Sequence, residues 1–295
     1  MNTDSSAKNY YSTKLFVSVF ITFALILTVS IIFSDAVIDG GAQVIESLGP
    51  EFFIFVLGGF IAQMIDGSLG MAYGVSASTF LMSFGVPPAA ASASIHTAEI
   101  FTSGVSGLSH LKFGNVNKKL FKSLLIPGVL GAITGAYILT AFEEYNAVVR
   151  PVVAGYTLLL GIVIIRKAIM NQREKKPTKN IQALAGFGGF MDSIGGGGWG
   201  PIVASTLIAK GRSPRYTIGS VNLAEFFVSF ASSLTFFATI GLSYFGIIAG
   251  LILGGIIAAP IAASLTQKLP VKTMMIVVGA VVGIASLRLI IISFM

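Results

Sequence analysis

The chain has 295 residues, of which 54% are hydrophobic and only 11% charged, with a net charge of +7 and a mean hydropathy of +0.87. A soluble domain would carry about a quarter charged residues, so the composition excludes an ordinary soluble fold and predicts an all-α polytopic membrane protein. With no cysteine, disulfides, thiolate metal sites and thiol catalysis are excluded, and His96 and His110 alone are too few for a His-rich metal centre.

In chain order, Lys8 and Lys14 precede the apolar run Leu15–Phe33, which is long enough to span and is expected to remain as a first transmembrane helix. Five pieces follow, at Glu51–Ile65, Val75–Phe84, Pro88–Leu111, Leu120–Phe142 and Ala147–Ile169. Five more are expected at Ile181–Ile194, Pro201–Ala209, Pro214–Ala238, Tyr244–Thr266 and Val271–Ile292. The first two pieces of each set are shorter than the roughly 20 residues a span needs. They read as half-helices or a re-entrant hairpin around a break. The expected organisation is a tail, helix and outer loop over 1–50, a first membrane repeat over 51–170, a cytoplasmic linker over 171–180 and a second repeat over 181–295.

The repeats are visible in the letters. Asp66–Gly107 lies over Asp192–Ser233 at a constant offset of 126, with 12 identities in 42 positions, where roughly three or four would arise by chance. Among the identities are Asp66/Asp192, Gly70/Gly196, Ser94/Ser220, Glu99/Glu225 and Ser103/Ser229. Basic residues gather in His110–Lys122, Arg166–Lys179, Lys210–Arg215 and Gln267–Lys272. Placed in the cytoplasm, these segments put the N-terminus on the cytoplasmic side of the cell inner (cytoplasmic) membrane and give the two repeats opposite orientation. The positive charge then reports orientation, and no nucleic-acid partner is expected.

The breaks run from Ile65 to Gly74 and from Met191 to Pro201. Four glycines, Gly195, Gly196, Gly197 and Gly198, would each cost a helix interior about 1 kcal/mol. In a loop they free backbone N–H groups for a ligand, and helix ends at that depth favour an anion. Ser68, Gly70, Tyr73, Ser193 and Trp199 lie in the same breaks and are candidate substrate-binding residues, with Ser94, Ser220 and Asn222 on the following helices. Asp66 and Asp192 either hold the loops through their N–H groups or carry protons. His96/Glu99 and Asn222/Glu225 are spaced i, i+3 on one helix face, near mid-membrane, as cavity lining or proton handlers. Tyr73 and Trp199 are equivalent positions that could close the pocket.

Gly104-Val-Ser-Gly107 matches the GxSG pattern of rhomboid-type intramembrane proteases, but no histidine follows His110 on a later helix to act as base, so no enzymatic activity is expected. No nucleotide-cradling motif and no cofactor site is present.

The segment Phe187-Gly-Gly-Phe-Met-Asp-Ser-Ile-Gly-Gly-Gly-Gly-Trp-Gly-Pro201, with its partner Ile65-Asp-Gly-Ser-Leu-Gly70, resembles the signature of the TauE/SafE sulfite exporter family, and the similarity extends over about Phe52–Ile291. The first copy departs from it at Leu69, Met71 and Ala72. The resemblance implies a transporter of sulfite or related organosulfur anions acting outward, and the two repeats are expected to give alternating access by rocking against each other. An importer or channel for another small anion (sulfonate, thiosulfate, carboxylate) stays open, as does a homo-oligomer.

Overall fold

The computed structural model describes residues 51–69, 71–169, 180–241, 244–265 and 271–295. The expected first helix Leu15–Phe33, the linker 171–179 and Gly70 lie outside the described residues.

Every regular element among the described residues is helical. They are α1 (Glu51–Leu69), α2 (Tyr73–Ser83), α3 (Pro88–Lys112), α4 (Lys118–Ala141), a 3-10 turn (Glu143–Tyr145) and α5 (Asn146–Ile169). Then come α6 (Ile181–Gly195), a π-helical turn (Trp199–Ala204) running into α7 (Ser205–Ala209), α8 (Pro214–Ile240), α9 (Phe245–Leu265) and α10 (Val271–Ser293). Lys118–Ala141, Glu143–Ile169, Pro214–Ile240 and Met275–Ser293 are long and apolar enough to cross a membrane, while the π turn with α7 is a shorter apolar piece. The chain is an all-α polytopic membrane protein.

Local chemistry sets the helix boundaries. Pro88 and Pro214 open α3 and α8 at positions where a missing N–H costs nothing. Asn117 and Asn180 cap α4 and α6, each side chain accepting a backbone N–H three residues on. Gly85 (φ 89) and Gly211 (φ 86), at matched positions, turn the chain between the second short piece and the following helix.

One boundary differs from expectation. The helix before the first break runs on from the expected Ile65 to Leu69, so Asp66 sits in its last turn rather than in the loop, while α6 ends at Gly195, one residue past expectation, with Asp192 in its last turn. The described parts of the breaks are residues 71–72 and 196–198. A run-on helix satisfies backbone groups that an irregular loop would leave bare at that depth.

The main helix pairings are α1 with α9, α4 with α6, α3 with α8 and α5 with α10. Exchanging the halves maps α1–α9 onto α6–α4 and leaves the other two pairings unchanged. Small residues make the close pairs feasible: a Cβ on Gly254 would overlap the Val56 carbonyl oxygen, and one on Gly189 would overlap that of Gly128. The polarity is inverted relative to a soluble protein. Phe53, Val105, Ile126 and Ile284 are exposed, while His96, Ser193, Ser220, Ser229 and Ser232 are buried. Outward apolar side chains face lipid, and polar ones find partners only inside.

Candidate functional site

The second break packs backbone to backbone against the start of α2, directly after the first break. A Cβ on Gly74 would overlap the Gly196 carbonyl oxygen, and one on Gly197 would overlap the Val75 nitrogen. Beside this contact lies a cavity of about 10 Å³, room for about one water. Both halves line it: Asp66, Tyr73, Gly74 and Glu99 from the first, Asp192, Gly197, Gly198, Pro201 and Glu225 from the second.

The second break is held from within. The Gly198 and Trp199 N–H groups donate to Asp192 Oδ1 at 2.6 and 2.8 Å. Tyr156 donates from its hydroxyl to the Gly197 carbonyl at 3.1 Å, and its ring covers Gly195, where a Cβ would displace it. In the first break, the equivalent Asp66 lies near the backbone N–H of Tyr73. The loop N–H groups expected to face a ligand are therefore partly engaged by the chain's own carboxylates.

Asp192 reaches the first half through its other oxygen. His96 Nε2 lies 3.2 Å from Asp192 Oδ2, with the two side chains 0% and 2% exposed. His96 Nδ1 lies 2.8 Å from the Ser92 carbonyl oxygen, and Ser92 Oγ donates to the Ser193 carbonyl at 2.5 Å. Glu99, one turn along α3, accepts from Ser229 Oγ at 3.3 Å. His96, Glu99 and Asp192 each place a side-chain atom within 4.8 Å of the others.

Tyr73 is buried, lines the cavity and has no hydrogen-bond partner for its hydroxyl. Trp199, its equivalent, turns away: its ring packs near Gly128 and its Nε1 donates to the Val221 carbonyl at 3.1 Å. Several other candidates also have partners elsewhere. Ser193 Oγ pairs with Ser232 Oγ at 2.6 Å, Ser220 Oγ bonds the loop residue Asn117 and the Tyr216 carbonyl, and Asn222 donates to Ser106 Oγ at 2.8 Å. Ser94 is buried with its hydroxyl unpartnered, and Ser68 lies in the last turn of α1.

Sequence reasoning passed over Ser92 and Tyr156 and gave Ser229 and Lys167 no site role. Ser229 was legible as the repeat of Ser103, and Ser92 as the residue one turn before His96. Tyr156 and Lys167 sit on an unbroken apolar helix with no local mark. Lys167 donates from Nζ to the Pro201 carbonyl at 2.8 Å and to Ser205 Oγ. At the other end of α5, Arg150 donates to the Met82 carbonyl at the end of α2, where a cation suits the helix C-terminus. One long helix thus ties down both short ones.

Comparison with known proteins agrees with this architecture. The family described as sulfite exporter TauE/SafE matches residues 55–289. A protein of Bacillus subtilis (strain 168) named "Probable membrane transporter protein YtnM" is 39% identical over 214 residues, covering 68% of this chain and 71% of its own. No solved structure matches significantly. Spanning helices, a polar interior where two glycine-rich breaks meet, and this match over most of the chain lead to one conclusion: the chain belongs to the sulfite exporter TauE/SafE family of membrane transporters.

Proposed function

We propose that this transporter exports a small sulfur oxyanion, sulfite, across the cytoplasmic membrane, with the anion bound between the two breaks. The observation that supports this most is their meeting at one central cavity lined from both halves. A site shared by two exchangeable halves can open to either side when one half rocks against the other. At about 10 Å³ the cavity is closed to an oxyanion, so binding requires the halves to part.

Tyr73 Oη is the side-chain donor available to the anion, because it lines the cavity and has no other partner. Parting of the breaks would add backbone N–H groups, which suit a tetrahedral or pyramidal oxyanion. Glu99, Asp66 and Glu225 line the same space and handle protons as the anion passes. The cytoplasmic side is the one bearing the basic segments. Two of those segments lie together, since Arg215 donates to Asn115 and to the Phe113 carbonyl.

The test is sulfite efflux from proteoliposomes containing purified protein. Wild type is expected to exceed empty liposomes, with Tyr73→Phe and Glu99→Gln both slower in demonstrably folded protein. No sulfite flux from folded wild type would remove the sulfite assignment, and flux of sulfonate, thiosulfate or a carboxylate would replace it.

A further inference from the structure

The hydrogen bonds around His96 determine where its protons lie. A backbone carbonyl only accepts, so Nδ1, 2.8 Å from the Ser92 oxygen, carries a hydrogen. Ser92 Oγ, 3.3 Å from Nδ1, has spent its own hydrogen on the Ser193 carbonyl and can only accept from the ring. Nε2 faces Asp192 Oδ2. The other oxygen of that carboxylate takes two backbone N–H groups at 2.6 and 2.8 Å, as an ionised carboxylate does. A bare Nε2 would set a lone pair against an anionic oxygen, with both groups out of water.

We infer that His96 carries a second proton on Nε2, that this N–H latches α3 of the first half to α6 of the second, and that its release is the proton step of the transport cycle. The inference deepens the transport reading above and rests on it. The proton leaves Nε2 for the Glu99 carboxylate in the same cluster. The ring becomes neutral, with Nδ1–H still on Ser92, and an N–H···O contact becomes two lone pairs face to face. The contact then repels. Because Asp192 Oδ1 also holds Gly198 and Trp199, its displacement moves the second break with it.

The other ionisable groups around the pair are Glu99 on α3 itself, Asp66 on α1, Tyr73 on α2, Tyr156 on α5 and Glu225 on α8. On α8 the Phe236 ring also faces His96, at 6.1 Å between centroids. The second half has no copy of the latch. Asn222 stands where His96 stands in the repeat, and its amide, bonded to Ser106, carries no exchangeable charge. The device therefore moves one proton per cycle, from one side of the pseudo-symmetric pair.

Two measurements on the full chain test this. The first is nitrogen NMR of the wild type labelled at histidine, which holds only His96 and His110; His110→Gln assigns the signals. A doubly protonated His96 ring is expected, and a ring with a bare Nε2 would overturn the latch whatever the substrate. The second is sulfite flux in proteoliposomes with and without an imposed pH gradient. Wild type should respond to the gradient, and in His96→Asn and His96→Gln the ratio of the two fluxes should fall to unity. A gradient response preserved in those variants, or missing from a wild type that transports sulfite, would overturn the coupling role. A wild type that moves no sulfite at all brings down the transport reading and the coupling step with it, while the ring spectrum still decides the latch.

Discussion

The first break, residues 71–72 as described, and the second, Gly196–Gly198, fall at the same place in each half, yet they are held differently. In the second, Asp192 gathers two backbone N–H groups, Tyr156 bonds a third residue, and His96 ties Asp192 to the opposite half. In the first, Asp66 lies near the Tyr73 N–H, and Ala72 adopts a left-handed conformation at φ 88, which costs a residue with a Cβ about 1–2 kcal/mol. The glycine-rich break is thus the better anchored one. Without Cβ atoms, the Tyr156 ring and the Gly74 backbone can approach close enough to bond and pack.

The contrast breaks most sharply at Gly197. A Cβ there meets only backbone, of Gly74 and Val75, which cannot turn aside. Gly197→Ala should cost about 3 kcal/mol, seen as a lower unfolding temperature in detergent; a wild-type melting curve would mean that the breaks do not touch.

The two aspartates come next. Asp192→Asn weakens two charge-assisted bonds and the contact to His96, for a loss of about 2–3 kcal/mol, against about 1 kcal/mol for Asp66→Asn. Equal losses in denaturation experiments would show that the two breaks are anchored alike.

Tyr73 and Trp199 separate site from scaffold. Trp199→Phe forfeits a buried bond to Val221, about 1 kcal/mol, whereas Tyr73→Phe removes a hydroxyl with no partner and should leave stability unchanged while slowing flux. A Tyr73→Phe protein that melts early but transports normally would remove Tyr73 from the site.

The smallest effect is a gain. Ala72→Gly relieves the left-handed strain and should add up to about 1 kcal/mol, measured as a raised unfolding temperature.

Much of the fold was legible because its causes are local. Apolar run length marks the spans, Pro88 and Pro214 mark helix starts, and Gly85 and Gly211 mark turns with positive φ. The repeat made Asp66, Glu99, Asp192 and Glu225 visible as candidates, and the structure brings all four to one cavity. Side-chain direction was not legible. Tyr73 and Trp199 share a register, but one faces the cavity and the other fills a space beside Gly128, a choice made by residues far along the chain.

From its letters alone the chain determines its solvent, its helices, its internal duplication and its family, because hydropathy, helix-breaking residues and spacing act within a few turns. Only the tertiary structure decides that Asp192 serves its own loop and His96 together, that Tyr156 and Lys167 brace the second break and the helix after it, and that the breaks close on one another. The His96–Asp192 contact alone joins residues 96 positions apart. These contacts form because a buried polar group out of reach of water must find whatever partner the packing of helices brings to it.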